Sequence, residues 1–162
     1  MKKNVNGVAV RRAVVGDRDV GLIAPLFDLY RQFYDQPSDP SLARAFIQDR
    51  LAGEESVIFL AHLTDVRMKS AAGFVQLYPS FSSVDASRIW ILNDLFVARE
   101  ARRLGVACAL MERVRIHAIA TAAKRVVLET RTSNRTAQSL YESLGYVCAN
   151  KTEKFYALEL PT

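Results

Sequence analysis

The chain is poor in cysteine: Cys108 and Cys148 are its two, and they fit neither a CxxC pair nor a zinc-ligand spacing. That argues against a disulfide-stapled scaffold and a thiolate metal site. Without a secretory leader both thiols are expected to be reduced and buried. The sequence also lacks any run near the ~20 apolar residues that a membrane span requires. Its opening, MKKNVNGVAV, carries two lysines with no sustained apolar segment behind them, so nothing marks export and a cytoplasmic location is expected, with no membrane partner. No repeat, low-complexity tract or linker interrupts the chain, and a single domain over residues 1–162 is expected, its core at about 8–160. His62 and His117 stand apart from any Ser, Cys or paired-ligand context. Each reads as a surface or structural histidine, and no metal is implied.

What is present is the composition of a globular protein. Half of the residues are hydrophobic and 24% are charged, too apolar and too evenly mixed for disorder. A chain of 162 residues can bury about 70% of the surface its unfolded form exposes, so one sizeable core is expected. The net charge of +5 suggests nucleic acid until the charges are located. Residues 98–131 hold eight basic residues against three glutamates and carry the whole excess, whereas residues 14–65 hold nine acids against four arginines. This asymmetry suits an anionic ligand held by the later half and a cationic one admitted near the first, and no nucleic-acid partner is expected.

Local patterns divide the chain into strands and helices. Val8 to Val14 reads as a strand. From Asp19 to Tyr34 the apolar residues Val20, Ile23, Leu26, Phe27, Tyr30 and Phe33 recur at helical spacing, with Pro25 expected to split or kink the helix. Asp39-Pro40 is an N-cap followed by proline at the first helical position, opening a helix to Ala52 before Gly53. Val57 to Leu63 and Gly73 to Tyr78 are β-rich runs joined through TDVRMKS, Ser80 to Ser87 is a polar connection, and Arg88 to Val97 is the next strand. Gly105 to Ala122 is helical, with Val106, Leu110, Val114 and Ile119 near one face, and Arg125 to Thr130 is a strand. Strand, helix, strand in that order is a βαβ unit whose two strands lie parallel. Thr136 to Leu144 is a short helix stopped by Gly145, and Tyr146 to Asn150 and Phe155 to Leu160 read as closing strands.

The segment VAREARRLGVA, Val97 to Ala107, carries the chemistry. An apolar strand ends in a loop with Arg102, Arg103 and Gly105 and enters a helix, whose first turn offers unpaired N–H groups and a positive dipole end. Gly105 lets backbone approach an oxyanion, so the segment reads as a diphosphate site. Only one glycine of a GxGxxG fingerprint is present, which disfavours a dinucleotide fold.

Arg102-x-x-Gly105-x-Ala107 after Leu95-Phe96-Val97 resembles the acyl-CoA pyrophosphate motif of the GNAT superfamily of N-acetyltransferases, and Asn134, Ala137, Tyr141 and Leu144-Gly145-Tyr146 follow at that family's distances. The resemblance spans about Val10 to Tyr156. It implies an α/β fold with about four helices and a mixed central sheet splayed at the cofactor site, with acetyl-CoA as cosubstrate and no metal. By it, Leu95, Phe96 and Val97 bond the pantetheine arm, Arg102, Arg103, Leu104, Gly105, Val106, Ala107 and Cys108 surround the diphosphate, and Val127, Leu128 and Glu129 line the other side. Asn134 either caps its helix or bonds the pantetheine amide, with Ala137 beside it. Tyr141 matches the tyrosine that protonates the departing thiolate, a task a phenol suits because it stays protonated at neutral pH.

ILNDLFV is similar to the strand of small-amine acetyltransferases, including the polyamine group, in which a Glu-Asp pair stands at Asn93 and Asp94. An amide cannot accept a proton, so the base is Asp94, another acid such as Asp35, or solvent. Tyr34, Gln76, Tyr78 and Asn93 fall in the regions that build the acceptor pocket, with Tyr30 and Phe33 nearby; core packing is the competing role, and for Phe33 the favoured one. The expected reaction is acetylation of a primary amine on a small cationic metabolite. A protein lysine or N-terminal acceptor, and a CoA-binding module without turnover, stay open. Strand edges after Tyr146 suit pairing into a homodimer.

Overall fold

Five strands and four helices follow one another along the computed structural model, which describes residues 7–64 and 71–148. Contacts divide the chain into two compact units, residues 1–129 and 130–162. In the first unit, β1 (Val8–Arg12) leads through α1 (Asp17–Phe33) and α2 (Pro40–Ala52) to β2 (Val57–Leu63), β3 (Gly73–Ser82) and β4 (Ser87–Val97). A 3₁₀ turn (Arg99–Ala101), α3 (Val106–Ala120) and β5 (Arg125–Leu128) complete it. The strands lie in the order β1-β2-β3-β4-β5. All pairs are antiparallel except β4 and β5, which are parallel across α3, as a strand–helix–strand order requires.

Residue parity assigns the helices to opposite faces. Phe59 sits directly across from Val75, and its ring lies against His117 of α3. Phe74, the next residue on β3, therefore points the other way, and its ring meets Phe27 and Tyr30 of α1. With both faces covered, β2 and β3 bury the consecutive runs Val57 to Ala61 and Gly73 to Leu77.

Several expected boundaries move for local reasons. β1 ends at Arg12 rather than Val14, because the Val14 N–H donates to Asp19 Oδ2 at 2.9 Å and leaves the ladder. α1 runs unbroken through Pro25. The proline is exposed, so the Gly21 carbonyl it deprives of a donor faces water. Phe33, expected in the core, is 49% exposed at the last residue of α1. α2 has the expected ends, with the Leu42 N–H donating to Asp39 Oδ1 at 2.9 Å. Ser80 to Ser82 are strand rather than connection, paired with Ile89, Arg88 and Ser87.

In α3 the buried face is Val106, Leu110, Met111, Val114 and Ala118. Ile119 is 64% exposed, since thirteen residues from Val106 it has turned to the far side. Cys108 is exposed for the same reason, and Cys148, in the segment after α4, is exposed too; the expected burial of both thiols does not hold.

The second unit is described through α4 (Arg135–Ser143). Asn134 caps it, accepting from the Ala137 N–H at 3.2 Å. At the other end Gly145 has φ 87°, its N–H donates to Glu142 O, and the Tyr146 N–H donates to Tyr141 O, each at 3.0 Å. This is a Schellman cap, with the Tyr146 ring 6.0 Å from Tyr141 supplying the apolar contact that accompanies it. Residues 146–148 are not strand. The remainder of that expected strand, the one at Phe155 to Leu160 and most of the TDVRMKS loop lie outside the described residues.

Candidate active site

A register shift in β4 builds the site. Gln76 pairs with Asp94 but Leu77 pairs with Leu92, which leaves Asn93 as the extra residue of a β-bulge. In strict alternation Asp94 would share a face with Trp90 and Leu92, the α3 side, where the Trp90 ring lies against His117. The bulge reverses that parity. Asp94 turns to the α1 face, beside Gln76 and below Tyr30.

There it is 2% exposed. Gln76 Nε2 donates to Asp94 Oδ2 at 2.8 Å and Asn93 Nδ2 donates to Oδ1 at 3.1 Å. The Tyr30 hydroxyl lies within reach of both the carboxyl and the Asn93 carbonyl, the latter at 3.2 Å, and its one proton serves one of them at a time. No ion pair to Asp94 occurs among the described residues. Burial pushes its carboxyl above the ordinary range, against the smaller opposing pull of hydrogen bonds from Tyr30, Asn93 and Gln76. Gln76 Nε2 also donates to the Tyr78 hydroxyl at 2.7 Å, and Ser56 Oγ donates to Gln76 Oε1 at 3.3 Å. Burial, and then the neighbouring Asp94 charge, push the Tyr78 phenol up to about 12, so it keeps its proton at neutral pH.

Toward its C-terminal end β4 outruns β5. Their pairing runs from Ile89 with Arg125 to Leu92 with Leu128, where β5 ends, while β4 continues to Val97. Asn93 to Val97 thus lie beyond the last β5 pair. Val127 and Leu128 are in register with Ile91 and Leu92, so of the expected lining residues on that side Glu129 alone lies past the paired segment. Gly73 keeps β3 close to this end: a Cβ there would lie 2.6 Å from Phe96 O and 3.2 Å from Val106 Cγ1.

After Val97 the chain turns into α3. Ala98 and Ala101 are buried and anchor the turn, while Arg102, Arg103 and Leu104 are exposed. Arg103 (φ 65°) and Gly105 (φ 82°) both take positive φ, a geometry that aims successive N–H groups to one side. The Arg102 Nε–H donates to Val97 O at 3.3 Å, tying the loop to the strand end. No side chain caps α3 and no acid stands in its first turn, so its leading N–H groups and two arginines form a donor set suited to a diphosphate. Ala107 is half-buried and Cys108 exposed on that turn.

The structure therefore brings Asp94, Gln76, Tyr78 and Asn93 into one network. Tyr34 lies one ring away, 5.1 Å from Tyr30. Asp35, the alternative base, is exposed after the end of α1. Tyr141, Asn134 and Ala137 belong to the second unit, with Tyr141 9% exposed. Sequence reasoning missed Ser56 and the bulge. The visible signal for the bulge was two polar residues in succession, Asn93-Asp94, inside an apolar strand. Among the described residues no group of three or more His, Cys, Asp or Glu could hold a metal, and no helix is long and apolar enough to cross a membrane.

Comparison with known proteins accords with this architecture. The acetyltransferase (GNAT) family model matches residues 23–146, across both units. An uncharacterized N-acetyltransferase of Bacillus subtilis, YhfO, is 47% identical over 128 residues, 79% of this chain and 83% of that protein. A probable acetyltransferase of Haemophilus influenzae is 33% identical over 142 residues, 88% of this chain and 92% of its own length. The crystal structure of a probable acetyltransferase superposes with a TM-score of 0.83 at 41% identity, covering 95% of this chain and 99% of that one. With a family model spanning most of its length and relatives this similar, the chain belongs to the GNAT family of acetyltransferases.

Proposed function

We propose that the protein transfers the acetyl group of acetyl-CoA to the primary amine of a small cationic molecule. The observation that carries this reading is Asp94: a buried carboxylate with no ion-pair partner among the described residues, held by amide and phenol donors where β4 runs past the end of β5. A carboxyl pushed upward by burial is a stronger proton acceptor, fit to take the proton of an ammonium so that the free amine can attack. Tyr30, Tyr34 and Tyr78 supply aromatic faces on the same side of the sheet, and an organic cation is attracted to such faces.

In this reading the start of α3, with Arg102, Arg103 and the N–H groups after Gly105, holds the diphosphate of acetyl-CoA. The backbone of Leu95, Phe96 and Val97 aligns the pantetheine arm, with Glu129, just past the last β4–β5 pair, across from it. A backbone N–H near Leu95 or Phe96 stabilises the oxyanion of the tetrahedral intermediate, and Tyr141 protonates the leaving thiolate.

Calorimetry with acetyl-CoA tests the first step. The wild type should bind and Gly105→Glu should not, because a carboxylate there repels the diphosphate and a side chain is strained at φ 82°. Full affinity in that variant, or none in the wild type, refutes the assignment. Release of CoA with any amine separates an enzyme from a binding module.

A further inference from the structure

Gln76 stands at the centre of the buried polar network, and no catalytic step uses it. Gln76 is 0% exposed, its amide enclosed by Asp94, Tyr78 and Ser56. Its pairing with Asp94 is the last before the bulge. Asp94 as a carboxylate only accepts hydrogen bonds, so the Nε2 end of the amide must face it. Both Nε2 hydrogens are then spent, one on Asp94 Oδ2 and one on the Tyr78 oxygen, and Ser56 Oγ occupies Oε1.

We propose that Gln76 is the positioning residue of Asp94: its sealed amide holds the carboxylate ionisable and aimed, and turns the Tyr78 hydroxyl so that its own proton points away from the network. The inference rests on the reading of Asp94 as base. A basic side chain at this position would hold Asp94 ionised but make it a poor proton acceptor, and an apolar one would let burial keep it protonated. A neutral donor lies between those extremes. Among the described residues, the groups that face Asp94 are Asn93 on its own strand, Gln76 and Tyr78 on β3, and Tyr30 on α1. The charges of Arg50 and Glu55, at the end of α2 and in the turn after it, act on Tyr78. α3 covers the opposite face of the sheet.

The test is the pH dependence of kcat/KM for Gln76→Met, Gln76→Glu and Asp94→Asn, using the best amine from a panel. Asp94→Asn should abolish the acid limb of the profile. Gln76→Met removes one donor from the charged form, so the limb should move upward by about one pH unit, a tenfold loss of kcat/KM on the limb. Gln76→Glu places a second carboxyl against Asp94; the pair then shares a proton and the limb should move further in the same direction. Acetyl-CoA affinity should stay at the wild-type value in both Gln76 variants. Glu has the length and shape of Gln, so it carries the test if the Met variant does not fold. An unmoved limb in a folded Gln76 variant, with Asp94→Asn lacking that limb, overturns the role of Gln76 alone. An acid limb that survives in Asp94→Asn overturns the base reading as well.

Discussion

At the scale of single residues, Tyr141 bears two demands that the structure separates by atom. Its carbonyl accepts the Tyr146 N–H in the Schellman cap, and its ring lies 6.0 Å from that of Tyr146. Neither use involves the phenol oxygen, which is the atom the proposed acid step needs. Tyr141→Phe keeps carbonyl and ring, so acetyl-CoA affinity should change little. If the hydroxyl delivers the proton to the leaving thiolate, kcat should fall about 10²- to 10⁴-fold, roughly 3 to 5 kcal/mol of barrier. Steady-state kinetics with a CoA titration on the same variant checks this. A fall of less than about threefold with chemistry rate-limiting assigns Tyr141 to packing alone.

At the scale of elements, α1 is held near each end by a buried aspartate. Asp19 accepts from Arg11 Nη1 and Nη2 at 2.8 and 2.6 Å and from the Val14 N–H, fastening the start of the helix to β1. Asp28 accepts from Ser38 Oγ at 2.6 Å, the Asp39 N–H at 2.8 Å and Gln32 Nε2 at 2.9 Å, fastening the loop into α2. The Arg11 hydrogen bonds hold the Asp19 carboxyl below the ordinary range, and the Ser38 bond leads the donors that do the same for Asp28. A depressed carboxyl contributes stability that is present above its unfolded pKa, about 3.9, and is lost as pH falls through the lower folded value. The part of the stability that Asp19 and Asp28 contribute should therefore be level down to about pH 5 and fall below about pH 4, read in urea denaturation as the difference between wild type and variants of these two residues. Asp28→Asn should lose about 1.5 to 3 kcal/mol at neutral pH, the range for hydrogen bonds to a charged group. Its acid decline should also be shallower. An unchanged decline would place the acid sensitivity elsewhere.

At the scale of the molecule, the basic excess of residues 98–131 and the acidic excess of residues 14–65 suit an anionic cosubstrate and a cationic acceptor. Polyamines or basic amino-acid derivatives should then give higher kcat/KM than neutral or acidic amines, measured as CoA release over one panel. An acidic amine as best substrate refutes the cationic reading, and a lysine peptide as best substrate moves it to a protein acceptor. The helix limits and the anion-binding turn were legible in the amino-acid order because local chemistry decides them. Asp39 before Pro40 starts α2, Asn134 starts α4, Gly145 stops it, and Gly105 takes the positive φ that opens α3. Exposure was less legible: Cys108 and Ile119 look apolar in the chain, and only the direction in which α3 meets the sheet turns them outward. The face that Asp94 takes was not legible at all. Side chains alternate along a strand, but their parity acquires meaning only against a partner, and the partner of Asp94 is Gln76 on another strand. Sequence alone therefore determined the order of elements and the turn into α3. Tertiary pairing, through one extra residue at Asn93, decided that a carboxylate stands buried on the α1 face rather than the other.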